Sequence, residues 1–387
     1  MNAPKLRELL LLLLSASVSA AGESAMAQQQ AECSGQETSE TLYVGIYIAT
    51  DYTFRSCSPY KNQTLEDYLR AFVGGVQLYF QELKYPTIQI VYQGSRYLKD
   101  DEESKVIGSV KGTTNTAVKG ADALQKIEFE NNEGEVIMGN TLFLVLTGLN
   151  VTEEETKNTV HTAMPIPDSS DTNDDEEYDS YSSEDMTVRA RADTGKRLYD
   201  NVGGLSQYGS ICVMAAAIVQ DNGRNFSGVF TTAQQVANVL GPIYNGTIPK
   251  RKCEDYDSEL PTFHGKECKL RVTLLEEKEK FSCLNESIDG IEGQVMTPYE
   301  FYEKNLIWTP CGTSYPGSEE CQNPELTAYK HQNCSISCCL KSPFPFMGTT
   351  NYTIPAPDGE KCNPNKICIG GTCVTTNAIL NEHSPKR

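Results

Sequence analysis

The apolar positions divide the chain into elements of strand and helix period. Leu42-Tyr43-Val44-Gly45-Ile46-Tyr47-Ile48-Ala49 is a nearly unbroken apolar run that stops at Thr50-Asp51, and it predicts a buried strand. From Leu65 to Leu83 the spacing turns helical. Leu65, Leu69, Phe72, Val73, Val76 and Phe80 share one stripe, with Asp67 near the predicted positive end of the helix. Ile88 to Tyr92 alternates behind Pro86, and Thr141 to Thr147 is a second strongly apolar strand. Between them the segment around Asp122 to Phe129 predicts a helix. Cys212 to Val219 predicts a further strand and Thr232 to Leu240 a helix, an alternation that implies an α/β or α+β domain around a central sheet.

The two ends and one internal stretch break this pattern. Lys5 and Arg7 precede the apolar run Leu9 to Leu14, which relaxes into Ser15-Ala16-Ser17-Val18-Ser19-Ala20. This predicts a signal peptide over 1–20, followed by a polar leader over 21–40. No later stretch approaches the roughly 20 apolar residues that cross a bilayer, so the expectation is a secreted protein without a membrane partner. Residues 168–185 hold nine acidic and no basic residues, an acidic insertion in a domain expected over 41–300. Cysteines crowd the chain from Cys311 onward, which predicts a small disulfide-rich domain over 301–375 and a flexible tail over 376–387.

Composition narrows the function. With 33 Lys and Arg against 52 Asp and Glu, the 387-residue chain carries a formal charge of −19, which excludes a general nucleic-acid binder. The four histidines, His161, His264, His331 and His383, are too far apart for a local two-histidine zinc motif. His264 reads as a loop residue. Asp255, Asp257 and Glu259 lack the other features of a calcium loop and read as a solvated cluster. Fourteen cysteines point to an oxidising compartment, so Cys334, Cys338 and Cys339 are expected in disulfides rather than on a metal. Cys368 or Cys362 with Cys373 would each close a short loop. Seven glycosylation triplets begin at Asn62, Asn150, Asn225, Asn245, Asn285, Asn333 and Asn351.

One segment carries a resemblance. Thr232-Ala233-Gln234-Gln235-Val236-Ala237-Asn238-Val239-Leu240-Gly241-Pro242-Ile243-Tyr244-Asn245-Gly246 resembles the zinc-binding helix and turn of the reprolysin-like metzincins, the tick salivary metalloproteases above all. In that frame Gln234 and Asn238 stand at the first two histidine ligands, Gln235 at the catalytic glutamate, Tyr244 at the third ligand and Gly241 at the turn. The strand from Leu42, Tyr79-Phe80 before Pro86-Thr87-Ile88, Leu146-Thr147-Gly148, Gly204-Leu205-Ser206 and the cysteine-rich end are similar to the same family, over roughly 42–375. The resemblance implies a metzincin-like α/β fold with a mixed central sheet and a small disulfide-rich domain behind it.

It also implies a vacated site. Imidazoles at i and i+4 on one helix face hold zinc, and a carboxylate takes the proton of the bound water. Gln234 and Asn238 are weak neutral donors on that face, and Gln235 has no titratable group with which to act as a general base. Tyr244 is a poor ligand without imidazole neighbours. The segment Cys268 to Cys283, where the family keeps its methionine turn, contains no methionine. Only about 20 residues separate the expected signal cleavage from the first strand, too few for the family's prodomain. The expectation is therefore a catalytically inactive, monomeric, secreted glycoprotein with no cofactor that binds a host extracellular protein concerned with clotting, inflammation or immunity. Asp174, Asp175, Glu176, Glu177, Tyr178, Asp179 and Tyr181 form an acidic segment suited to a basic surface on that partner, and Tyr178 and Tyr181 are candidates for sulfation. An atypical active zinc endopeptidase and a non-specific decoy glycoprotein are the rival readings.

Overall fold

The fold is described from a computed structural model covering residues 41–81, 83, 86–107, 117–133, 139–154, 199–241, 274, 278–290, 296–321, 329–341 and 348–375. The leader, the acidic stretch 168–185, Tyr244, Asn245, His264 and the cluster Asp255, Asp257 and Glu259 lie outside these residues.

In chain order the elements are β1 (Thr41–Thr50), α1 (Tyr52–Cys57), α2 (Asn62–Phe80), β2 (Thr87–Tyr97), α3 (Asp100–Val106), β3 (Ala117–Lys119), α4 (Gly120–Glu133), β4 (Thr141–Thr147), β5 (Asn150–Glu154), β6 (Tyr199–Asn201), β7 (Gly204–Ser206), β8 (Ala215–Gln220) and α5 (Val229–Leu240). The central sheet runs β2-β1-β4-β8-β7. Its first four strands are parallel, and β7 lies antiparallel to β8 at one edge. A small second sheet, β3-β5-β6, is bonded separately and packs Val118 and Val151 against one face of the first.

The two-residue side-chain period of the strands sorts the core into two layers. Leu42, Val44, Ile46 and Ile48 of β1, Leu142, Leu144 and Leu146 of β4, and Ala215, Ala217 and Val219 of β8 face one cluster with Leu69, Phe72 and Val76 of α2 and Val236 of α5. Phe143 and Val145 of β4 and Ala216 and Ile218 of β8 face the opposite cluster with Ala123, Leu124 and Ile127 of α4. Burial on both faces explains why β1 and β4 read as continuous apolar runs.

Two expectations shift. The strand predicted from Cys212 begins at Ala215, because Cys212 has φ 70° in a turn and is bonded to Cys283. The helix predicted from Leu65 begins at Asn62, which moves Asp67 into the second turn. There Asp67 is buried and accepts an ion pair from Lys304 at 2.8 Å, so its role is tertiary and not that of an N-terminal charge.

The cysteine-rich end contains α6 (Pro298–Lys304), α7 (Pro310–Ser314), β9 (Glu319–Glu320), β10 (Ser335–Leu340), β11 (Thr350–Pro355), β12 (Lys361–Asn363), β13 (Lys366–Ile369) and β14 (Thr372–Thr375). They form two three-stranded sheets, β11-β10-β9 and β12-β13-β14. Disulfides Cys311–Cys338, Cys321–Cys339, Cys334–Cys368 and Cys362–Cys373 hold the region. Cys334, Cys338 and Cys339 are thus disulfide-bonded, and of the two short loops considered, Cys362 with Cys373 is the one that closes. Cys57 is exposed and unpaired among the described residues.

This region has a small core of its own around Cys334, Ile336, Cys338 and Cys368, and it also completes the main one. Phe301, Tyr302, Ile367, Ile369 and Val374 belong to the same apolar cluster as the sheet and α2. The approach to α2 is close enough that a Cβ on Gly74 would stand 1.9 Å from the carbonyl oxygen of Met296. Asp358 joins the two parts. Its carboxylate accepts from the Gly370 N–H at 2.7 Å and is bonded by the Tyr79 hydroxyl, and burial pushes its pKa up to about 6 against those two bonds. His331 bridges Glu360 (Nδ1, 2.6 Å) and Glu320 (Nε2, 2.9 Å). Burial pushes its pKa down, but the two carboxylates outweigh burial and hold it above the ordinary histidine value.

Candidate functional site

The helix that carries Gln234, Gln235 and Asn238 is positioned at both ends by the residues around it. At its start, Asp221 follows the last residue of β8 and is fully buried. Its carboxylate accepts from the Gly228 N–H (2.6 Å), the Gly223 N–H (2.7 Å), the Tyr68 hydroxyl (2.8 Å) and the Ser227 hydroxyl (3.3 Å). Gly228 is the residue that precedes the first turn of α5, so the carboxylate meets the helix at its positive end. Burial raises the Asp221 pKa, and the four donors oppose the rise. The Tyr68 hydroxyl in turn accepts from the Phe226 N–H at 3.0 Å, which ties the loop to α2. At the far end, the carbonyls of Asn238 and Val239 accept from the N–H groups of Gly209 and Ile211 at 2.9 and 3.2 Å. Cys212–Cys283 secures the same loop to the turn beginning at Phe281.

Between these anchors Val229, Ala233, Val236, Val239 and Leu240 are buried against the core. Gln234 and Asn238, one turn apart, are half-buried, whereas Gln235 is only 5% exposed. The Gln235 Oε1 accepts from the Ser206 hydroxyl at 2.7 Å and from the Asn238 Nδ2 at 3.2 Å. Ser206 is the last residue of β7, the antiparallel edge strand. The carboxamide therefore bonds the helix to the sheet edge and to its own next turn. An amide oxygen with two donors has no proton to lose and negligible basicity, so this position holds geometry without performing acid–base work.

Three side chains of the motif are thus brought together, two of them bonded to each other. Ser206 and Asp221 escaped sequence reasoning as site residues. Asp221 had a readable signal, since Asp221-Asn222-Gly223 directly behind an apolar strand is turn chemistry before a helix. Ser206 had none, because its contact depends on the edge strand folding back along β8.

Among the described residues the only group of three His, Cys, Asp or Glu side chains close enough to share an ion is Cys334, Cys362 and Cys368. All three sulfurs are committed to disulfides, which removes the thiolate a metal would need. That cluster contains no histidine. The glycosylation triplets are also distributed unequally. Asn62, Asn285, Asn333 and Asn351 are exposed, whereas Asn150 and Asn225 are half-buried.

No helix among the described residues is long and apolar enough to cross a membrane. No family model matches the chain. Over 404 residues it is 20% identical to "A disintegrin and metalloproteinase with thrombospondin motifs like" of Bombyx mori, with 90% of this chain and 47% of that protein covered. The chain thus spans about half the length of the relative it matches. Among solved structures, metalloproteinase-II from Bacteroides fragilis is similar at 8% identity and a TM-score of 0.28, covering 65% of this chain and 55% of that one. A chain of a chaperone–substrate complex is similar at 7% identity and a TM-score of 0.28, covering 54% and 26%. Overlaps that slight carry no fold assignment. The chain has a distant, low-identity link to the reprolysin-like metalloproteases, and it is built of an α/β domain with a mixed central sheet and a disulfide-rich region.

Proposed function

We propose that this chain is a secreted, catalytically inactive, metalloprotease-like glycoprotein that binds an extracellular host protein. The observation that carries the reading is the state of Gln235. A residue standing where the resemblance puts the general base is a buried amide, bonded to Ser206 and Asn238 instead of facing a reacting water. With Gln234 and Asn238 in place of imidazoles and Tyr244 as the third position, the donor set is neutral, weak and poorly suited to zinc. The helix is nevertheless anchored firmly at both ends, as expected of a scaffold retained for its surface.

The partner is an extracellular protein of haemostasis, inflammation or immunity with a basic face. The acidic stretch 168–185, with Tyr178 and Tyr181 within it, speeds the encounter. The protein acts as a monomer, without a cofactor and without nucleic acid. The test joins metal analysis to capture. The secreted protein retains no stoichiometric zinc after dialysis, cleaves no peptide in a chelator-sensitive manner, and captures one saturable partner from host plasma. Stoichiometric zinc together with chelator-sensitive cleavage overturns the reading in favour of a protease. Absence of any saturable partner overturns it in favour of a non-specific decoy. Removing residues 168–185 slows association and flattens its salt dependence, whereas a rate in the intact protein that ignores salt refutes the role given to that stretch.

A further inference from the structure

The structure assigns N-glycan attachment to Asn62, Asn285, Asn333 and Asn351, and makes the triplet at Asn225 a structural clip that the folded protein carries bare. The assignment rests on the secretory reading above. A glycan joins the carboxamide nitrogen and needs that atom in solvent with a clear path outward.

In the triplet Asn225-Phe226-Ser227 the asparagine is half-buried and its carboxamide is committed to hydrogen bonds at both ends. The Asn225 Nδ2 donates to the Ser314 hydroxyl of α7 at 3.1 Å, and its Oδ1 accepts from Asn222 at 2.7 Å. Phe226, the middle residue, is 8% exposed and stacks on Tyr68 with ring centroids 4.3 Å apart. Ser227 donates to the buried Asp221. Asn225 and Phe226 thus join the lead-in of α5 to α7 and α2, while the exposed Ser227 bonds within the lead-in itself. A sugar on Asn225 leaves the nitrogen one N–H but places its bulk on an atom 3.1 Å from Ser314, wedging the loop from α7, so the folded, exported population is the one without it.

At the other four triplets the asparagine itself is exposed, including Asn333, whose neighbour Cys334 is buried in a disulfide. Asn62 with Gln63, the whole of Asn285-Glu286-Ser287, both Asn333 and Ser335, and both Asn351 and Thr353 are exposed. Among the described residues none of these four asparagine nitrogens has a hydrogen-bond partner. Asn351 occupies a particular place: it sits within β11, the outer strand of β11-β10-β9, opposite Cys339. An exposed outer strand invites pairing with another chain, and a bulky hydrophilic group on it prevents this.

Site mapping tests the assignment. The full chain is expressed in a glycosylating secretory host in two forms, one with its own N-terminus and one with a heterologous signal peptide replacing residues 1–20. Enzymatic deglycosylation in heavy water followed by peptide mass spectrometry then reports each site. The expected result is conversion at Asn62, Asn285, Asn333 and Asn351 and none at Asn225, with Asn351→Gln secreted and lighter by one glycan. Occupancy of Asn225 in most secreted molecules, or a bare asparagine at any of the other four, overturns the assignment. Failure of the native N-terminus alone to export the chain removes the secretory reading, and the heterologous form still decides the sites.

Discussion

Replacing Asp221 by alanine tests the claim that one carboxylate sets the start of the motif helix. The substitution removes the acceptor of two backbone N–H groups at 2.6 and 2.7 Å and of the Tyr68 hydroxyl at 2.8 Å, all buried. A buried donor left unsatisfied costs about 1–3 kcal/mol, so three give a loss of roughly 3–6 kcal/mol after allowing for partial relaxation. Burial raises the Asp221 pKa, so relief of the desolvation penalty returns part of this, and the expected net loss is about 3–5 kcal/mol. Asp221→Asn keeps one acceptor oxygen but turns its NH2 toward other donors, for roughly half the effect. Ser227→Ala, whose bond is 3.3 Å long, costs under about 1 kcal/mol. Urea unfolding followed by fluorescence is a direct assay, because the single tryptophan, Trp308, packs edge-on against Tyr60 at 5.1 Å. Tyr60 in turn donates to the Arg224 carbonyl of the same loop. A stability of Asp221→Ala within about 1 kcal/mol of the parent, or equal losses for Asp221→Ala and Ser227→Ala, refutes the reasoning.

Three further outcomes follow from the cysteine-rich region and from its contact with α2. His331 has a folded pKa above 6.5, so its contribution is fully present below that value and is lost as pH rises through the folded pKa; His331→Gln lowers thermal stability at pH 6 and flattens this loss. Asp358 has a folded pKa of about 6 against 3.8, which penalises its charged form in the folded state. Stability therefore falls between about pH 4 and 6, and Asp358→Asn removes that slope in pH-resolved melts. Gly74→Ala, with backbone 1.9 Å from the new Cβ, destabilises by more than about 3 kcal/mol, whereas Gly75→Ala, whose nearest atoms are side chains at 3.0 Å, costs clearly less in the same denaturant titration.

The elements readable in the sequence were those that bury both faces or one long stripe. Thr141 to Thr147 could be read because every residue of β4 is buried, and α2 because its apolar spacing covers several turns. The run before Ala215 misled, since the apolar Ile211 and Val213 belong to a turn held by a disulfide and not to a pleat. Strands of three residues, such as β6 and β7, are too short for periodicity to register. Asp67 looked like a helix-end charge because its partner, Lys304, lies far along the chain. The same limit applied to the site. The resemblance singles out Gln234, Gln235, Asn238 and Tyr244 by the order of flanking segments, but the bond from Ser206 to Gln235 arises only when the sheet edge meets the helix.

The union of α2 with the C-terminal residues has a consequence for biosynthesis. The face of α2 that Phe301, Ile367 and Val374 cover is made early and its cover late. At roughly 5–20 residues per second, the helix waits tens of seconds with a wet apolar stripe. The sheet can pair during that interval, but its core is sealed only after the last cysteines have left the ribosome and found their partners. In the secretory setting proposed above, folding of the cysteine-rich end is thus the closing step for the main core, and a nascent chain arrested before it still exposes the face that Phe301, Ile367 and Val374 complete.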